Sequence, residues 1–229
     1  MRHLAACLLC IAMISFPAKA AESEKLVALT FDDGPSGRFT RRLLAELKQR
    51  DVKATFFLCG YRIVQYPKLT EQIWQEGHEI GIHGYSHDSM KAMCARQVAA
   101  EVEKTQQLLP AGCQPLFLRP PGGLCSDCVQ TVAENFGLSV LQWSLDPKDW
   151  AVRDTKQVAE YVLSRAQDGD VILLHDMSDS SIDAALLIID GLLARGFRFV
   201  TATELAKANQ HTTIPGKVYT AFRRTDQAK

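Results

Sequence analysis

Short apolar runs alternate with longer amphipathic stretches along most of this chain. Runs rich in β-branched and aromatic residues at 26–31, 54–58, 79–82, 116–119, 138–143, 171–174 and 197–200 predict seven strands. Between them, residues 39–50 place Leu43, Leu44 and Leu47 on one helical face, and 97–109, 155–167 and 182–195 read similarly. Repeated strand–helix alternation implies parallel strands joined by crossover helices. Seven repeats suit a closed, irregular barrel better than a small open sheet. The expected fold is therefore α/β, a deformed (β/α)7 barrel, TIM-barrel-like, in a single domain. On pattern alone an open doubly wound sheet remains the alternative.

The two ends depart from this rhythm. Arg2 and His3 precede an apolar run from Leu4 to Phe16, followed by Ala18-Lys19-Ala20. This reads as a secretory signal peptide over residues 1–20, cleaved after Ala20 and too short to remain as a membrane-spanning helix. An uncleaved anchor is the alternative. Leu4-Ala5-Ala6-Cys7 resembles a lipoprotein site only faintly, because almost no apolar stretch precedes it. Residues 21–209 then form a single folded domain. Residues 210–229 lose periodicity and carry Pro215 and Gly216, so a surface extension or frayed tail is expected there.

With 229 residues the chain suits one domain with a full core. Its 26 basic residues balance 26 acidic ones, which argues against a nucleic acid or an anionic membrane as partner. Export changes how the cysteines read. Cys7 and Cys10 leave with the signal, and Cys59, Cys94, Cys113, Cys125 and Cys128 remain. Disulfides are expected outside the cytoplasm, and an odd count leaves one thiol over. Cys94 paired to Cys125 or Cys128 is the favoured bridge. A four-cysteine zinc site would need a second Cys-x-x-Cys pair, and none remains once Cys7 and Cys10 leave with the signal.

The chemistry-bearing residues gather at strand ends, where parallel α/β folds place their functional groups. Asp32 and Asp33 follow the first strand in Thr30-Phe31-Asp32-Asp33-Gly34-Pro35. In isolation Asp-Asp-Gly reads as a solvated turn. Strand alternation, however, aims the two carboxylates in different directions, so one can ligate an ion while the other faces a water on it. His83 and His87 follow the third strand. A helical turn would put both imidazoles on one face, and one carboxylate would complete a three-ligand site with an open position. The same set suits non-haem iron oxygenases, but those do not require a second Asp or a further acid with its orienting partner. Arg119-Pro120-Pro121-Gly122-Gly123, Asp146-Pro147-Lys148-Asp149-Trp150 and Leu173-Leu174-His175-Asp176 follow later strands.

These five motifs, in this order, together with Ala54-Thr55-Phe56-Phe57 and Gly77-His78-Glu79-Ile80-Gly81, resemble the polysaccharide deacetylase family. That family is carbohydrate esterase family 4, the NodB homology domain, and the similarity runs from about Lys25 to Leu205. The resemblance implies a seven-stranded deformed barrel that uses zinc or another divalent ion such as Co²⁺ or Ni²⁺. It implies Asp32 as general base, Asp33, His83 and His87 as metal ligands, and Arg119 holding Asp32. The Gly122 N–H corresponds to an oxyanion donor, and Asp149 orients His175, the general acid. Trp150 and Leu173 would line the pocket for the acetyl methyl. His78 and His3 read as non-catalytic, and Trp143 as a core aromatic. Two positions depart from the family pattern. Gly84 stands where Ser or Thr is usual, removing a hydroxyl behind the ligands and loosening their loop. Gly122 stands where an aromatic residue is frequent, removing a wall of the sugar cleft.

The resulting expectation is a secreted, metal-dependent deacetylase of an N-acetylated polysaccharide. Cell-wall peptidoglycan leads as substrate, followed by chitin oligosaccharides and acetylated xylan. A non-catalytic glycan-binding barrel would be expected to lack one of these groups. Glycoside hydrolysis would need carboxylates facing each other across ~5–9.5 Å, which neighbours on one strand do not provide.

Overall fold

The computed structural model describes residues 24–224. The proposed signal, with Cys7, Cys10 and the Ala20 cleavage point, lies outside the described residues. Among those described, no helix is long and apolar enough to cross a membrane.

All seven expected strands form. They are β1 (Lys25–Asp32), β2 (Thr55–Leu58), β3 (Glu79–Ile82), β4 (Phe117–Leu118), β5 (Ser139–Leu141), β6 (Val171–His175) and β7 (Phe197–Phe199). An eighth, β8 (Val218–Tyr219), was not expected. The helices are α1 (Arg38–Gln49), α2 (Gly60–Gln65), α3 (Pro67–Gln75), α4 (Ala95–Gln106), α5 (Asp127–Asn135), α6 (Thr155–Leu163), α7 (Asp179–Ala194) and α8 (Ala202–Ala208).

The sheet runs β6-β1-β2-β3-β4-β5-β8, with neighbours parallel. β1 is its hub. Its first half pairs with β7 (Lys25↔Phe197 to Val27↔Phe199), and its second half with β6 (Ala28↔Val171 to Asp32↔His175). Seven of its eight residues are buried, as expected of a parallel strand covered on both faces. β5 and β6 do not form a ladder; the chain beyond β5 bridges to β6 at Leu145↔Ile172, and Ala221 bridges to Asp170. The result is a curled, incompletely closed barrel.

The helices cover it with the faces expected. Thr40, Leu43, Leu44 and Leu47 of α1 and Ile182, Ala185, Ile188, Ile189 and Leu192 of α7 are buried. Capping fixes several starts. Asp154 accepts from the N–H groups of Lys156 and Gln157, and Thr201 and Glu204 form a reciprocal capping box.

Two expectations are corrected. Residues 211–224 form no frayed tail. β8 pairs with β5, Phe222 is wholly buried, and Arg223 reaches buried Asp170 at 2.6 Å. The five cysteines are all free, so no bridge joins Cys94 to Cys125 or Cys128. Cys125 and Cys128 pack partly buried against an apolar cluster around Val129, whereas Cys94 sits exposed at the start of α4.

Candidate active site

Every predicted site residue stands at the C-terminal end of the sheet. A cleft of about 360 Å³ there is lined by Asp32, Asp33, His83, His87, Gly122, Trp143, Asp146, Trp150, Leu173 and His175.

Asp32 ends β1 as a regular strand residue. Asp33 follows in the left-handed region, with φ 72°. This turn at Asp33 departs from strand alternation, and both carboxylates face the cleft, within 3.8 Å and 3.2 Å of His83 Nε2. The histidines do not share a helical turn, as their spacing had implied. Residues 83–87 form an irregular loop in which Gly84 (φ 80°) and His87 (φ 68°) are left-handed. The loop still brings the rings together. Asp33 Oδ1 lies 3.2 Å from His83 Nε2 and 2.9 Å from His87 Nε2.

His83 Nδ1 lies 2.6 Å from the Arg119 carbonyl oxygen. An Nδ1–H donating there leaves the Nε2 lone pair aimed at Asp33. Asp33 Oδ1 is itself buried with no hydrogen-bond donor. Electron-rich atoms thus converge where only a cation would reconcile them, and an N,N,O donor set suits zinc-like ions. The residues fit a divalent metal.

On one side of this triad, Arg119 is wholly buried and donates to Asp32 Oδ1 at 2.7 Å. It also donates to Thr30 Oγ1 and to the carbonyls of Leu141 and Gln142, with its guanidinium 3.9 Å above the Phe57 ring. On the other side, His175 Nδ1 lies 2.8 Å from Asp149 Oδ1, and the His175 N–H donates to Asp149 Oδ2 at 2.9 Å. Burial works against the charged imidazolium, but the Asp149 carboxylate, reinforced by Asp32 and Asp33, outweighs it and lifts the His175 pKa to about 9. His78 lies away from the cleft. Burial and nearby Lys53 push its pKa down to about 4, and its Nδ1 accepts the Ala54 N–H.

The family model for polysaccharide deacetylases matches residues 19–141. A peptidoglycan-N-acetylglucosamine deacetylase of Listeria monocytogenes is 37% identical over 187 residues, covering 81% of this chain. The chain belongs to the polysaccharide deacetylase family. It spans only 40% of the length of that relative. A solved deacetylase bound to substrate superposes with TM-score 0.80 at 34% identity, covering 86% of this chain and 96% of the other. A family 4 acetyl xylan esterase from Clostridium thermocellum, in complex with a cobalt ion, gives TM-score 0.80 at 33% identity, covering 86% and 98%.

Three features of this deacetylase-family cleft were not foreseen. Trp143 is no simple core aromatic, because it lines the cleft and lies 5.6 Å from the Arg119 guanidinium. Asp146 also faces the cleft, its Oδ1 capping the turn at the Lys148 N–H. Gly84 holds a left-handed backbone (φ 80°) that favours glycine, and a Cβ there would lie 2.7 Å from Met90 Cε, the free end of that side chain, and 3.3 Å from Glu101 Oε2. A Cβ at Gly122, by contrast, would meet only Leu124 Cγ, at 3.9 Å, so the cleft is open on that side.

Proposed function

We propose that this chain is a secreted, metal-dependent hydrolase that removes N-acetyl groups from N-acetylglucosamine units of cell-wall peptidoglycan. The observation that carries the reading is the flanking of one cation-hungry triad by an Arg-held carboxylate and a carboxylate-held histidine within a single cleft. The named activity of the Listeria relative supports peptidoglycan as substrate and the cell wall as the place of action.

Asp33, His83 and His87 would hold the ion, which supplies Lewis acidity and lowers the pKa of its water to about 7. Asp32 accepts the proton as water attacks the acetamide carbonyl, and Arg119 keeps that carboxylate oriented. The Gly122 N–H donates to the developing oxyanion. An amine leaves poorly as an anion, so His175 delivers a proton to it from Nε2 while Asp149 holds Nδ1–H. Buried Leu173 and exposed Trp150 border the space for the acetyl methyl.

Acetate release from peptidoglycan, chitin oligomers and acetylxylan, with Zn²⁺ or Co²⁺ added, tests both class and substrate. Asp32→Asn is expected to lose roughly 10²–10⁴ in rate while binding metal normally. Equal release by the two proteins, or glycan binding with no release by either, overturns the catalytic reading. Chitin oligomers or acetylxylan outrunning peptidoglycan overturns the substrate reading alone.

A further inference from the structure

The two histidines of the triad are held in different ways. His83 is fixed through its own ring, by Nδ1 against the Arg119 carbonyl. Among the described residues, the His87 ring has no hydrogen-bonding or ion-pair partner other than Asp33, it meets the His83 ring only as a tilted neighbour 5.3 Å away, and its side chain is 43% exposed. The position of His87 therefore depends on the backbone of the loop that carries it. That loop is irregular, with left-handed residues at Gly84 and His87, so no repeating hydrogen-bond pattern stiffens it.

One carboxylate supplies what is missing. Glu101 projects from α4, a helix anchored by buried Val98, Val102 and Thr105. Its Oε2 accepts the N–H of Tyr85 at 2.7 Å, the N–H of Ser86 at 2.8 Å and the Ser86 hydroxyl at 3.1 Å. Ser86 Oγ in turn accepts from the Asp88 N–H at 3.2 Å and contacts Asp88 Oδ2 at 2.9 Å, so the residues on both sides of His87 are tied to the same point. From the opposite side, the Gly60 and Tyr61 N–H groups at the start of α2 donate to the carbonyls of Gly84 and Tyr85. The lack of a Cβ at Gly84 leaves room for Glu101 to approach this closely. The loop thus exchanges a local hydroxyl for a charged acceptor reaching in from a neighbouring helix, and charge-assisted bonds to N–H groups are the stronger kind.

We infer that Glu101 is a positioning residue for the metal site, setting the place of His87 through the backbone of residues 85–88. This deepens the metal-dependent reading above and rests on it. Outer partners of metal ligands typically contribute 10–100-fold in affinity.

The test measures zinc dissociation constants by competition with a chromophoric chelator, with circular dichroism to establish folding. Glu101→Ala is expected to weaken zinc binding by about 10–100-fold, with turnover largely restored at saturating zinc. Glu101→Gln keeps an oxygen where Oε2 stands but loses the charge, and is expected to weaken zinc binding less than Glu101→Asp does. Glu101→Asp keeps the charge but shortens the reach, and is expected to weaken binding. The Asp and Gln variants carry the test even if the Ala variant fails to fold. Glu101→Ala or Glu101→Asp binding zinc as tightly as the parent overturns the inference and leaves the metal reading standing. So does Glu101→Gln weakening as much as Glu101→Asp. A parent protein that binds no zinc overturns both.

Discussion

Replacing Asp149 with Asn removes the charge that holds His175 protonated and leaves a side chain of nearly the same shape. The His175 pKa rises from 6.5 to about 9, with Asp149 the largest favourable influence. That is about 2.5 units, or about 3.4 kcal/mol at 1.36 kcal/mol per unit. Without the carboxylate, burial dominates and the imidazolium is lost near or below about pH 6.5. A general acid must carry its proton, so the alkaline limb of kcat/KM is expected to move down by about two units or more. At pH 8 the protonated fraction falls from about nine-tenths to about 3%, a loss of about 30-fold, while at pH 6 the loss from titration is below about twofold. The assay is acetate release from acetylated glucosamine oligomers between pH 5 and pH 10 with zinc present. An unmoved alkaline limb, or a loss uniform across that range, would refute the assignment of His175 as an acid tuned by Asp149. Stability follows the same pair. A histidine pKa raised on folding stabilises fully below about pH 6.5, and this contribution disappears as pH rises through about 9. The melting deficit of Asp149→Asn is therefore expected to be larger at pH 6 than at pH 10.

Two further substitutions test the scaffold. Arg119→Met leaves Asp32 buried without its cation and is expected to cost about 3–5 kcal/mol in urea denaturation; adding Asp32→Asn should recover stability but no activity, and a single variant as stable as the parent would count against the buried pair. Phe222→Ala should cost about 3–5 kcal/mol if the C-terminal segment belongs to the fold, whereas a loss below about 1 kcal/mol would mean that the segment packs only loosely.

The strands were legible because a parallel sheet buries both faces. That writes β1 and β6 as near-continuous apolar runs, whose ends mark where chemistry gathers. The site residues were legible for the same reason, since motifs following successive strands arrive at one rim. What escaped depends on contacts distant in sequence. β8 is a two-residue strand beside Pro215 and Gly216, with no periodicity to announce it, and only its pairing with β5 makes it a strand. The four-residue spacing of His83 and His87 admits a helical turn or a loop, and Gly84 with a left-handed His87 selects the loop. Glu101 looked like one more polar position on an amphipathic helix. Its role comes from α4 packing beside the end of β3, a tertiary fact that periodicity does not encode.

The pairing of Asp32 with His175 in the β1–β6 ladder has a consequence for how such a protein can change. The proposed base and acid face each other at one register position of a parallel ladder, so backbone hydrogen bonds, not loops, fix their spacing. Insertions after the other strands, or a wider wall at Gly122, can remodel what enters the cleft without retuning the distance between proton acceptor and proton donor. Only a slip of register would disturb that spacing. A slip of β1 would have to break its ladders with β2, β6 and β7 at once.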